Sequence, residues 1–149
     1  MQHRSTVFEL SCAPIPTVRI ALVGAGQRGR ATLSRYAYVE GAEFRAVVDP
    51  DPTAVASALE LLREQRRPHP ETSTNAEAWR ELCRREDIDL IYICTDWSNH
   101  AAMAVEAMRC GKHVAVEVPA ATTVADCWEL VRTAEATQRH CFMTENCCY

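Results

Sequence analysis

A chain of 149 residues is long enough for one domain with a substantial core, and a formal charge of −4 with a pI near 5.7 gives no long-range attraction for nucleic acid. Its arginine-rich pieces, such as Arg63 to Arg67, alternate with acids and suit a solvated helix face. No run is apolar enough for a membrane span or a signal-peptide core, which argues against insertion and export and sets the expectation of a cytoplasmic protein.

The predicted elements begin after a flexible leader. Pro14 and Pro16 interrupt any regular pattern in residues 1–16, so the folded domain is expected over 17–149. Val18 to Gly24 is a short, continuous apolar run, the pattern of a strand covered on both faces. A helix is expected from about Gln27 to Tyr38, and then a second strand from Phe44 to Asp49. Asp51 followed by Pro52 supplies an N-cap and a first-turn proline for a helix over Thr53 to Gln65, which the prolines of Arg67 to Pro70 end. Asn75 caps a further helix carrying Trp79, Leu82 and Cys83 on one face.

Ile88 to Thr95 reads as a buried strand, followed by a helix from about Asn99 to Gly111. Gly111 to Ala120 holds the next strand, which ends on Glu117, Val118 and Pro119. Thr123 and Asp126 open a helix whose apolar positions Val124, Cys127, Trp128, Val131 and Ala134 keep one face, and His140 to Glu145 closes as a last strand. Strands alternating with helices at short connections predict an α/β fold with a doubly wound, mainly parallel sheet. The eight cysteines form no C-x-x-C pair and sit inside these apolar patterns. Most of them read as small buried side chains in a reducing compartment, and no metal site is expected.

Directly after the first strand, Gly24, Ala25, Gly26, Gln27, Arg28 and Gly29 fit G-x-G-x-x-G, and Asp49 ends the second strand twenty residues after Gly29. In that context Gly24 permits a tight turn, Gly26 lets backbone N–H groups approach a pyrophosphate, and Gly29 lets helix and strand pack closely. The helix N-terminus offers unpaired donors and partial positive charge to the anion. Asp49 would accept hydrogen bonds from ribose hydroxyls and repel the additional phosphate of NADP, so the expected cofactor is NAD. Arg28 is the nearby cation that weakens that preference.

In a doubly wound sheet ligands sit outside the carboxyl ends of the strands. Three later strand ends carry polar groups: Thr95 to His100, Glu117 to Ala120, and Glu145 to Tyr149. Residue types alone leave alternatives open for several of them: Asn99 as a helix cap, His100 as a first-turn surface residue, Glu117 as a carboxylate satisfied by local backbone, and Trp97 as core filler.

Together, the glycine loop, Asp49, the stretch from Cys94 to Ala121 and the closing Glu145 to Tyr149 resemble the N-terminal, Rossmann-like half of the Gfo/Idh/MocA oxidoreductases, over essentially all of Val18 to Tyr149. Many members carry E-K-P after the fifth long strand, with the lysine near nicotinamide and substrate. Val118 stands in its place here, so the carboxylate is kept and the cation is expected to be lost. Trp97 with His100, Val116 to Ala121, Cys127 to Val131 and the closing segment look most like the glycoside hydrolase family 109 branch, which includes α-N-acetylgalactosaminidases.

That resemblance implies hydrolysis through transient oxidation of the sugar at C3 by a tightly held NAD⁺, loss of the C2 proton and the C1 substituent, addition of water, and return of the hydride. It places Gly24, Gly26, Gln27, Arg28 and Gly29 at the pyrophosphate, Asp49 at the ribose, and Thr95, Trp97, Asn99 and His100 along the dinucleotide wall. Glu117 and Val118 border the cofactor, Asn146 lies near the nicotinamide end, and Tyr149 at the substrate edge. No catalytic residue is assigned, because the family's second domain, which bears the proton-transfer residues and most sugar contacts, has no counterpart in the sequence. The partners expected are therefore a dinucleotide, a sugar only together with that second domain, and no membrane or nucleic acid, with a homo-oligomer left open. An ordinary sugar or polyol dehydrogenase half and a non-catalytic NAD-binding module are the alternatives.

Overall fold

The short apolar runs become strands because helices cover both of their faces. A computed structural model describes residues 6–36 and 38–145. A 3-10 turn, Val7–Glu9, precedes β1 (Val18–Val23), α1 (Gln27–Tyr36), β2 (Ala42–Val48), α2 (Pro52–Glu64), β3 (Glu71–Ser73), α3 (Trp79–Leu82), β4 (Leu90–Ile93), α4 (Trp97–Arg109), β5 (His113–Val116), α5 (Val124–Thr137) and β6 (Cys141–Met143). Every strand pairing is parallel, in the order β3-β2-β1-β4-β5-β6. This is the doubly wound arrangement expected, with the chain reversing its direction of winding between β1 and β4, where such sheets open a crevice.

One core packs α1 and α2 against Ile20, Leu22, Val47 and Tyr92. The other packs α3, α4 and α5 against Val23, Ile91, Ile93 and Val116. Alternate residues of one strand therefore point to different cores, and all four residues of β4 are buried. Asp51 caps α2 as expected, accepting from the Thr53 N–H at 2.8 Å. Thr123 caps α5 by accepting from the Asp126 N–H at 3.1 Å. Gly111, at φ 84°, ends α4 in the left-handed region.

Two expectations need correction. The segment Glu71–Ser73, for which the sequence predicts no element, is an edge strand paired with β2. Its three polar residues carry no hydrophobic signal, and its place is set by the β2 backbone groups it satisfies. The helix expected after Asn75 is a single turn, Trp79–Leu82. Asn75 instead closes a local turn, its Oδ1 accepting from the Glu77 N–H at 3.0 Å.

The leader's Val7 N–H donates to Glu135 Oε1 of α5 at 3.3 Å, and Val7 and Leu10 pack on the α4/α5 core. At the opposite, amino-terminal end of β1 from the glycine loop, Arg19 grips Asp89 ahead of β4 through Nε at 2.8 Å and Nη2 at 2.7 Å. Arg19 bonding holds the Asp89 carboxyl below its usual range, and Arg85 pulls Asp87 down to about 2. A carboxyl depressed in the folded state stabilises fully above its unfolded value of about 4 and loses that contribution as pH falls through the depressed value. In urea titrations from pH 7 towards 2, the stability gap between the native chain and Asp89→Asn is therefore expected to be largest at neutral pH and to close in acid. A gap that stays constant would assign these bonds no electrostatic share.

Candidate functional site

The geometry at the carboxyl ends of β1, β2, β4 and β5 starts from the glycines. Gly24 takes φ 95°, and a Cβ there would lie 2.4 Å from the Cys94 carbonyl oxygen; a Cβ on Gly29 would lie 2.1 Å from the Gly24 oxygen. Both positions are closed by backbone. Gly26 differs, with nothing within 4 Å of where its Cβ would stand. It faces an open cleft of about 540 Å³ lined by Gly24, Asp49, Thr95, Asp96, Asn99 and Met103 among others. α1 starts at Gln27, directly after Gly26, so its first N–H groups have no carbonyl partner within the helix.

Asp49 sits just past β2 with both carboxylate oxygens anchored. Oδ2 accepts from the Ala25 N–H at 2.7 Å and Oδ1 from the Asp51 N–H at 2.8 Å. Each oxygen keeps a second acceptor direction, so the group stays able to receive hydroxyl donors. The spacing between glycine loop and acid thus becomes a direct bond between them.

Glu117 corrects the expectation of a missing cation. Val118 brings none, but Arg28, 89 residues earlier, donates to Glu117 Oε2 from Nη2 at 2.9 Å and from Nε at 3.1 Å. The Glu117 side chain is only 6% exposed while that of Arg28 is 51% exposed, so the pair joins a buried carboxylate to a guanidinium at the surface. The Glu117 bonding raises the guanidinium above its ordinary value. Arg28 is thus held towards the end of β5 by Glu117.

The remaining candidates divide. Thr95 and Asn99 line the cleft, and Asn99 Nδ2 donates to Asp96 Oδ2 at 2.5 Å inside the first turn of α4 rather than capping it from outside. Trp97 is 64% exposed, which rules out core filler. His100 is neither a surface residue nor open to the cleft: it is 1% exposed, with Nδ1 2.8 Å from the Pro119 oxygen and Nε2 2.9 Å from the Thr95 oxygen. It braces two strand-end loops against each other. Val118 is half-buried beside Glu117. Asn146 and Tyr149 lie outside the described residues. The sequence reading passed over Tyr92, whose hydroxyl stands 3.5 Å from Glu117 Oε1, and Arg30, which donates to the Ala25 oxygen at 3.2 Å. Tyr92 was readable as the strand residue two before Cys94; Arg30 had no signal beyond one more charge on a helix.

Cys94 lies just past β4 on the cleft wall, and burial pushes its thiol up to about 12. Burial does the same for Cys83, to about 12, while Cys12 and Cys127 are exposed. Because the thiolate is the reactive form, brief treatment of the native chain with iodoacetamide at pH 8 is expected to label Cys12 and Cys127 and spare Cys83 and Cys94, as peptide mass mapping would read. Prompt labelling of Cys94 would contradict the closed wall.

The profile of the oxidoreductase family with an NAD-binding Rossmann fold, Gfo/Idh/MocA, matches residues 18–145. The chain belongs to the Gfo/Idh/MocA oxidoreductase family. It is an NAD-binding domain of that family. Among Gfo/Idh/MocA relatives it is 50% identical over 143 residues to an α-N-acetylgalactosaminidase of Bacteroides fragilis, covering 96% of this chain and 34% of that one. It is 51% identical over 146 residues to glycosyl hydrolase family 109 protein 2 of Phocaeicola vulgatus, covering 98% and 35%. The chain thus spans about a third of the length of these relatives.

Among solved structures, the WlbA dehydrogenase of Chromobacterium violaceum in complex with NADH and UDP-GlcNAcA matches with a TM-score of 0.75 at 25% identity, over 91% of this chain and 37% of that one. The myo-inositol dehydrogenase of Lactobacillus casei in complex with NAD(H) and myo-inositol matches with a TM-score of 0.72 at 25% identity, over 86% and 36%. The fold is thus shared with solved dehydrogenases of sugar nucleotide and inositol substrates, as their complexes describe them.

Proposed function

We propose that this chain is the NAD-binding part of an NAD-dependent glycosidase acting on α-N-acetylgalactosaminides. The observation that carries the reading is the 50% identity, over 96% of the chain, with an α-N-acetylgalactosaminidase. The absence of a lysine after Glu117 favours it over the dehydrogenase alternative.

The residues fit a dinucleotide. The open face at Gly26 and the N–H groups of Gln27, Arg28 and Gly29 would receive the diphosphate, and Asp49 the adenosine ribose. Thr95, Trp97 and Asn99 would border the dinucleotide between β4 and α4, with His100 holding that wall from behind. Glu117 and Val118 would stand at the nicotinamide end, with Asn146 close by and Tyr149 towards the sugar. Bound NAD⁺ supplies transient oxidation of the sugar C3, which acidifies the C2 proton and lets the C1 substituent leave without net redox change. The proton-moving base and the sugar contacts come from outside these 149 residues. Free cysteines among the described residues suit a reducing cytoplasm.

Titration calorimetry of the chain with NAD⁺ is expected to show binding, and incubation with an aryl α-N-acetylgalactosaminide no turnover, since this reading places the proton-moving base outside these residues. Absence of binding to any nicotinamide dinucleotide would overturn the site. In a longer chain carrying this domain, sugar release at constant NAD⁺ supports the glycosidase, whereas steady accumulation of NADH overturns it in favour of a dehydrogenase.

A further inference from the structure

Arg30 directly follows the last glycine of the loop, in the first turn of α1. Its Nη1 donates to the Ala25 oxygen at 3.2 Å, and Ala25 is the residue whose N–H holds Asp49 Oδ2 at 2.7 Å. Its charge also reaches Asp51, contributing to that carboxyl's lowered value behind the Thr53 bonds. Asp51 in turn donates its N–H to Asp49 Oδ1 at 2.8 Å. A half-buried guanidinium thus stands at the same corner as the ribose-facing carboxylate, linked to it through a single residue on either side. Its backbone N–H is used within the helix, donating to the Gly26 oxygen at 3.0 Å, while among the described residues the remaining guanidinium N–H groups have no hydrogen-bond partner. Arg28, the other arginine of the loop, is occupied at the far side by Glu117.

Resting on the NAD reading of this site, we infer that Arg30 is a second determinant of coenzyme form: it attracts a phosphate on the adenosine ribose while Asp49 repels it. Guanidinium forks match phosphate oxygens in geometry as well as charge, and an arginine near the end of β2 is what a ribose 2′-phosphate needs. With Asp49 present, repulsion dominates, because the carboxylate directly faces the ribose position while Arg30 acts across the Ala25 carbonyl. NAD⁺ therefore binds more tightly, and Arg30 sets how much NADP⁺ affinity remains. Once the Asp49 charge is removed, Arg30 becomes the governing group and the preference turns over.

Calorimetric titration with NAD⁺, NADP⁺, 5′-AMP and 2′,5′-ADP tests this on the whole chain. Arg30→Ala is expected to leave NAD⁺ and 5′-AMP within about twofold while weakening NADP⁺ and 2′,5′-ADP about tenfold. Asp49→Asn, which keeps the side-chain shape, is expected to reverse the preference, and adding Arg30→Ala to it is expected to abolish the gain. Circular dichroism melting of each variant separates loss of binding from loss of fold. Equal effects of Arg30→Ala on phosphorylated and unphosphorylated ligands, or no effect on either, would overturn the inference. Failure of the unaltered chain to bind NAD⁺ and NADP⁺ would instead overturn the proposed site itself.

Discussion

Alanine at Gly29 or Gly24 is expected to cost the protein much of its stability, while alanine at Gly26 costs it only the cofactor. The three glycines of one motif separate on geometry. At Gly29 the new methyl would stand 2.1 Å from the Gly24 oxygen, and at Gly24 it would stand 2.4 Å from the Cys94 oxygen with φ at 95°. Neither neighbour is a side chain that can swing away, so strand, loop or helix must shift. Overpacking of a closed site costs about 1–3 kcal/mol, and a side chain in the left-handed region adds about 1–2 kcal/mol. Against a total stability of about 5–15 kcal/mol, the loss is expected to show as a drop in the urea midpoint and in Tm for both variants. Gly26→Ala meets nothing within 4 Å. Its Tm should stay near that of the unaltered chain while NAD⁺ affinity falls at least about tenfold, because the methyl occupies the space a diphosphate needs. Unchanged affinity in a folded Gly26→Ala chain would move the diphosphate elsewhere.

Removing the Arg28 guanidinium is expected to be more damaging than removing the Glu117 charge. Arg28→Ala leaves a carboxylate that is 6% exposed without its cation, and stranding a buried charged acceptor costs about 1–3 kcal/mol. Glu117→Gln leaves a guanidinium that is 51% exposed, which water can solvate. The double variant Arg28→Ala/Glu117→Gln should therefore recover part of the stability lost in Arg28→Ala alone, a coupling that urea denaturation of all four chains would measure. Purely additive losses would mean that the two groups stabilise separately.

Much of this site was legible from local pattern. The glycine spacing, the acid at the end of the second strand and the caps at Asp51 and Thr123 are all short-range signals with a mechanism attached, and each has its place in the structure. What escaped was either featureless or distant. Glu71–Ser73 pairs as an edge strand without apolar residues. The cation beside Glu117 comes from 89 residues away, and no window around Val118 could contain it. His100 looked exposed because it opens a helix, yet two carbonyl oxygens of neighbouring loops bury it. Side chains that unite separate loops are set by tertiary contact, which hydrophobic periodicity does not encode.

The central pairing of the sheet has a consequence for how the molecule assembles. β1 lies beside β4, with Ile20 opposite Leu90, so the strand that launches the glycine loop gains its second neighbour only after seventy further residues have been made. Non-local pairings of this kind carry the loop-closure entropy that slows folding. On a ribosome, the Cys94 backbone that closes over Gly24 and the carboxylate that receives Arg28 both emerge late. The walls that Cys94 and Glu117 give to the crevice are therefore completed only once β4 and β5 have docked, however early the glycine loop itself is made.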